Sequence, residues 1–441
     1  MRLDKASCGN LSESGWLAEQ CVISDHDRKI LRGLAQQLKA LAERPVEEEK
    51  AKLWIAHNGL QQTRPVILAD PENGWNEIFP WEKTIQCEGE MAGDWEMWLR
   101  KEICWAENIK DDKPITAQFC LPYCATDSKW GIHEERIGDF EHGGAYVWKS
   151  PLAEMDEDEF ENCDLASLIK TPVITVDWEA SNKAFEIAQD VFDGLLTVVR
   201  RHKWWWSPDL SLSYSNLRGM ENMMCDFYDF PDKVHEMMRL FTDGYKAKFK
   251  YLEDNGLLYD NSKDCYIGSG GIGYTDELNP ADPSHVLLRE MWGFNEAQET
   301  SEVSPDMVGE FLIPYQIELA DLFGLNYYGC CEGLDRRWEH VKKLPRLRRV
   351  SVSQWADIPK MSDMLQSDYV FAHKVSPTDI AVPQIDEGYI RGRLHELLAH
   401  CKANNNCVEL IMKDNHTLAN RPQNLYRWVE IAREEIARVY G

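Results

Sequence analysis

From residue 287 onward the chain alternates short apolar runs with amphipathic segments. LLREMWGF (287–294), LNYYGCC (325–331), RRVSVSQW (348–355), YVFAHK (369–374) and CVELIMK (407–413) are separated or followed by SPDMVGEFLIPYQIELADLFG, DIPKMSDMLQ, DEGYIRGRLHELLAHCKAN and RPQNLYRWVEIAREEIARVY. Apolar runs buried on both faces, each followed by a helix, specify a parallel sheet, because a parallel neighbour is reached only through a crossover. Similar runs upstream, RPVILAD (64–70), PITAQFCLPY (114–123), PVITVDW (172–178) and LLYD (257–260), supply enough strands to close a (β/α)8 TIM barrel, with an open doubly wound sheet as the alternative. Helix starts are marked by Ser304 ahead of Pro305 and by Asn420 ahead of Arg421-Pro422. The first sixty residues instead carry helical spacing in DRKILRGLAQQLKALAE and EEEKAKLWIAHNGL. The expected organisation is a helical N-terminal extension over 1–60 and a barrel over 61–441.

Composition removes several classes of function. With 75 acidic and 48 basic residues the formal charge is −27, which opposes a sequence-independent grip on phosphate backbones. The start, MRLDKASCGNLSESGW, has no apolar signal-like core and no stretch has membrane-spanning length, so a soluble cytoplasmic protein is expected. In that compartment 13 cysteines are reduced thiols, mostly buried small apolar residues. No G-x-G-x-x-G follows the first run, and Gly268-Ser269-Gly270-Gly271 lacks the lysine of a phosphate-binding loop. The acidic runs at 45–50 and 154–164 read as solvated faces.

In a parallel barrel the polar residues just beyond each strand converge at one rim. Here they are Asn295, Glu296 and Gln298; Cys330, Cys331 and Glu332; His373 and Lys374; and Asp414, Asn415 and His416. Thiol, carboxylate and imidazole together are the donor chemistry of zinc. Strand alternation puts Cys330 and Glu332 on one face and sets Cys331 on the other, although a shift of one residue reverses the assignment. Each residue alone has a plainer reading as packing or as a loop hydrogen bond; the convergence is what favours a metal. Among 17 tryptophans, the run Trp204-Trp205-Trp206 cannot turn every ring to one core, so part of it should line a pocket or interface, with Trp292 near another strand end. Such a wall suits a planar aromatic ligand or a quaternary ammonium.

Three stretches, RPVILADPENGWNEIFP, the segment from GFNEAQETSEVSPD through LNYYGCCEGLD to VSVSQWAD, and VELIMKDNHTLANRPQNLYRWVEIAREEI, resemble the uroporphyrinogen decarboxylase-like superfamily, and within it the corrinoid-dependent methyltransferases. The resemblance extends over most of 60–441. It implies a TIM barrel, zinc, a corrinoid carried on a separate partner protein, and barrels that often pair. Where porphyrinogen decarboxylases carry an arginine-rich segment after the first strand this chain has DPENGWNEIF, which argues against that substrate. Where thiol-methylating members have His-x-Cys it has Tyr328-Gly329-Cys330, and in place of their last cysteine it has Asp414 and His416. The expectation is methyl transfer from a small donor, an aryl methyl ether foremost and a methylamine or betaine next, to the Co(I) corrinoid. Cys330, Glu332 and His416 are the expected zinc ligands, with Cys331 and Asp414 as substitutes. Glu296 or His373 is the expected proton donor, and Trp204, Trp206, Trp292, Asn295 and Tyr328 the expected substrate contacts. The competing reading is a metal-independent decarboxylase or lyase holding carboxylates on Lys374, Lys413, Arg336 or Arg337. A corrinoid carrier is disfavoured by the lack of Asp-x-His-x-x-Gly.

Overall fold

The apolar runs form strands because their Val, Ile, Phe and Tyr side chains fill both faces of a pleated surface. A computed structural model describes residues 16–138 and 146–441. Among the described residues the strands are β1 (Val66–Ala69), β2 (Gln118–Leu121), β3 (Ala125–Asp127), β4 (Glu135–Gly138), β5 (Tyr146–Lys149), β6 (Ile174–Val176), β7 (Thr197–Arg200), β8 (Trp292–Asn295), β9 (Leu325–Tyr328), β10 (Leu347–Val352), β11 (Val370–Lys374) and β12 (Cys407–Met412). Six of them make one parallel sheet in the order β1-β12-β11-β10-β9-β8. β2 pairs with β7 in parallel, while β3 with β6 and β4 with β5 form antiparallel pairs. The fold is thus mixed α/β around a six-stranded parallel sheet, and backbone pairing that would close it into a barrel is not detected among the described residues.

Side chains occupy both edges of that sheet. On β1, Asp112 accepts from Ile67 N–H at 2.8 Å while its own N–H donates to the Ile67 carbonyl at 2.9 Å, and Asp111 accepts from Ala69 N–H at 2.7 Å. On β8, Asn261 accepts from Trp292 N–H at 2.9 Å and donates back to its carbonyl at 3.0 Å. At Ile67, Ala69 and Trp292 the edge groups are thus paired without another strand, which blunts a template for aggregation.

Strand alternation separates two faces. Trp292, Phe294, Leu325, Tyr327, Ala372 and Ile411 share one apolar cluster with Cys265 and Ile267. Arg349, wholly buried beneath them, pairs with Glu409 at 3.1 Å and lies 5.2 Å from the Trp292 ring. The other face is covered by helices, among them Ile313–Ala320, Ile358–Leu365, Glu387–Ala403 and Pro422–Tyr440. The single helix expected over 304–324 is broken at Leu312, because Pro314 has no N–H to continue the ladder of Pro305–Phe311. Ser304 caps that helix as expected, whereas the last helix starts after Arg421 without a side-chain cap and Asn420 lies outside it in the left-handed region.

The N-terminal helices Asp25–Ala42 and Pro45–Asn58 begin at Ser24, whose hydroxyl accepts from Asp27 N–H, and at Pro45. The second ends on buried polar contacts. Asn58 donates to the Ile272 and Tyr274 carbonyls and accepts from Arg349, and His57 sits between Cys407 and Glu409. The glycines of Gly268-Ser269-Gly270-Gly271 serve close approach. A Cβ on Gly268 would lie 2.2 Å from the Phe294 ring, and one on Gly271 would lie 2.8 Å from the Arg349 guanidinium. None of the described helices is long and apolar enough to cross a membrane.

Candidate functional site

At the end of β9 the chain turns at Gly329, whose φ of +96° suits glycine and whose Cβ would meet Leu334 at 2.8 Å. Its N–H donates to the Asn295 carbonyl, tying the ends of β8 and β9 together. Because β9 stops at Tyr328, Cys330 and Cys331 lie beyond the strand and alternation no longer separates them: their Sγ atoms are 3.6 Å apart. Cys330 is buried and Cys331 exposed. Ser269 donates to Cys330 Sγ at 3.2 Å and Ser351 to the Cys330 carbonyl at 2.8 Å. The hydrogen bond with Cys331 and burial hold the Cys330 pKa far above the thiol range, while that same hydrogen bond lowers Cys331, making Cys331 the more acidic thiol of the pair.

Glu332 turns away from the thiols. One carboxyl oxygen accepts from Cys330 N–H at 2.9 Å and the other from Ala297 N–H at 3.0 Å, so it clamps the loops that follow β8 and β9. Glu296 is fully buried, accepting from Ser207 Oγ at 3.1 Å and Gln298 N–H at 3.0 Å, with its carbonyl held by Gln316 Nε2 at 2.7 Å. Burial first, then Glu299 and Glu332 nearby, raise its pKa well above the ordinary carboxylate value, which favours its protonated form.

Beyond β1, β11 and β12 the same rim is cationic and acidic at once. Lys413 pairs with Asp414 and lies 4.0 Å from Glu72. Asp70, the first residue beyond β1, is raised to about 7 by burial and by Glu72, against the pull of Lys101 and Lys413. Lys374 reaches the Tyr327 hydroxyl at 2.5 Å, and burial lowers its ammonium to about 8.

A cavity of about 400 Å³ has Trp130, Trp204, Trp205, Trp206, Tyr245 and Lys248 among its lining, and it is linked to the rim through Trp206, whose neighbour Ser207 bonds Glu296. Trp204 is held through Nε1 to the Leu257 carbonyl and stacks on His202 at 3.9 Å. Trp206 donates to the Gly268 carbonyl at 3.0 Å and packs on Phe294. The next residue in each segment reaches the site: Ser207 to Glu296 and Ser269 to Cys330.

The residues expected from the sequence divide accordingly. Glu296, Cys330, Cys331 and Glu332 come together at the ends of β8 and β9, and Trp204 and Trp206 line the cavity. Trp292 is core, its Nε1 bonded to the Gly273 carbonyl. Tyr328 and His373 lie on the helix-covered face, opposite their neighbours Tyr327 and Lys374; Tyr328 donates to Gln316 at 3.0 Å and His373 Nδ1 is bonded to the Val352 carbonyl at 3.1 Å. Asn295 is buried with neither side-chain polar atom paired. His416 is exposed beyond Asp414, whose φ is +60°. Of the expected zinc donors, then, only Cys330 and Cys331 are side by side. With both Glu332 oxygens taken and His416 in solvent, no set of three or more His, Cys, Asp or Glu side chains is arranged for a metal among the described residues. The residues do not fit a preformed zinc centre. Ser207 and Ser269 lie in loops with no strand to flag them, whereas Asp70 obeys the same end-of-strand rule applied to β1.

Comparison with known proteins gives little beyond this. No family model and no curated protein matches the chain. Among solved structures, a methyltransferase from Methanosarcina mazei is similar over 89% of this chain and 99% of that one, with a TM-score of 0.49 and 11% identity. A likeness at that level leaves the activity to be argued from the chain's own residues.

Proposed function

We propose that the chain is a methyltransferase that takes a methyl group from a small donor, an aryl methyl ether foremost, and passes it to the Co(I) corrinoid of a partner protein docked over the ends of β8, β9 and β12. The observation that carries the reading is Glu296, a buried carboxyl near the thiol pair whose surroundings favour its protonated form, joined to the wall of the tryptophan-lined cavity through Ser207, the neighbour of Trp206. An ether methyl is a poor electrophile because its leaving oxygen is a strong base. A neutral acid aimed at that oxygen lowers the barrier as the C–O bond breaks, and general-acid assistance of this kind contributes roughly 10²–10⁴-fold. The corrinoid supplies the nucleophile that accepts the methyl group. Ser207, Gln298 and Gln316 hold the acid in place. Trp206, half-buried in the cavity wall, offers its ring to an aryl group, with Trp204 stacked behind on His202 and Tyr123. Once it has given up its proton, Glu296 is an anion buried near Glu299 and Glu332, and that repulsion favours reprotonation. No step is assigned to zinc.

The test is methyl transfer from methoxybenzoates and from trimethylamine to Co(I) cobalamin, followed by the cobalt absorbance change. Transfer from the aryl ether, absent with the amine, supports the reading; transfer from neither donor overturns it. The decarboxylase or lyase reading is favoured by one observation, the buried ammonium groups of Lys374 and Lys413 at the same rim. It predicts CO2 release from an aromatic carboxylate without cobalt, abolished in Lys374→Met.

A further inference from the structure

Protein interiors hold few voids larger than a water molecule. Yet a second cavity of about 460 Å³ lies on the helix-covered face of β11, away from the rim. It falls within the size range of small-molecule sites. Its walls are mainly apolar, with Ile358 from the helix after β10, Ile390, Leu394 and Leu397 from Glu387–Ala403, and Trp428 from the C-terminal helix, while Asp379 and Glu396 add carboxylates to the lining. Arg393 and His400, whose side chains are 37% and 39% exposed, place its mouth at the protein surface.

One polar group is set deep in this lining. His373 is 3% exposed and lines the cavity. A carbonyl oxygen can only accept, so the 3.1 Å contact with Val352 fixes the proton on Nδ1. Burial keeps the ring neutral, with a pKa lowered to about 3. Nε2 is therefore a bare acceptor, and no described residue donates to it.

We propose that this cavity binds a small, mainly apolar alcohol or phenol whose hydroxyl donates to His373 Nε2 while its hydrocarbon body fills the space between Leu394, Leu397 and Trp428. A ligand of the same shape without a donor leaves Nε2 unpaired, and an anion is opposed by the lone pair. The site is independent of the methyl-transfer reading, since its residues belong to the opposite face of the sheet.

The test compares 4-methylphenol with its methyl ether on the full-length protein, by calorimetry and by nitrogen NMR of labelled histidine. The expected result is binding of the phenol roughly three- to tenfold tighter than the ether, the worth of one neutral hydrogen bond. The His373 resonances should move, and the preference should vanish in His373→Phe. Equal binding of the two ligands, binding that leaves the His373 resonances in place, or no binding of either overturns the proposal. The wild-type comparison stands even where the variant does not fold.

Discussion

Replacing Glu332 separates its two possible roles, metal ligand and backbone clamp. Its carboxyl is 1% exposed and spends both oxygens on the N–H groups of Cys330 and Ala297. Hydrogen bonds to a charged group contribute about 1.5–3 kcal/mol each, so Glu332→Ala, which abandons two buried donors, should cost about 3–6 kcal/mol. Glu332→Gln keeps one acceptor oxygen and should cost about half as much. Urea unfolding followed by far-UV circular dichroism measures this as a drop in midpoint at unchanged slope. A loss below about 1 kcal/mol for Glu332→Ala would refute the clamp, and with it the claim that the loops after β8 and β9 are fixed by this residue.

Three further outcomes follow from the same geometry. Cys331, exposed and the more acidic thiol, should be alkylated by iodoacetamide well before Cys330, as read by peptide mass spectrometry; faster labelling of Cys330 would reverse the assignment within the pair. For His57, burial disfavours the charge but Cys407 and Glu409 outweigh it and raise the pKa from 6.5 to about 9. The folded state thus keeps a proton that the unfolded state loses near pH 6.5, so this contribution is complete below that pH and falls by about 3 kcal/mol as pH rises towards 9. His57→Phe should flatten that decline in urea midpoints, and an unchanged decline would show that His57 is neutral. Metal analysis after reconstitution with zinc should find well under one tightly held ion per chain; about one zinc per chain, lost in both Cys330→Ala and His416→Ala, would mean that the loop after β12 closes onto the thiols.

The second-half strands were legible because each is a continuous apolar run between helices, the signature of strands buried on both faces. Upstream the same signal found β1 and β2 but overstated the sheet. PVITVDW supplies β6, which pairs antiparallel with β3, and LLYD forms no strand: Leu257 N–H closes the turn after the helix Pro231–Asp254 by bonding Leu252. β7 went unread because its Val-Val core runs straight into Arg200-Arg201-His202-Lys203. At the site, the end-of-strand rule found Glu296 and the thiols, but one-residue alternation decided the rest. Lys374 and Tyr327 face the apolar cluster whereas His373 and Tyr328 face helices, and the positive φ of Gly329 brought Cys330 and Cys331 together where a continued strand would have parted them.

The central claim is that Glu296 delivers a proton to the leaving oxygen, and single-turnover methyl transfer to Co(I) cobalamin from two donors tests it most directly. With a methoxybenzoate, Glu296→Gln should slow transfer by roughly 10²–10⁴-fold. With 4-nitroanisole, whose phenoxide leaves without a proton, the variant should match the wild type. Equal slowing of both donors, or of neither, would contradict the account.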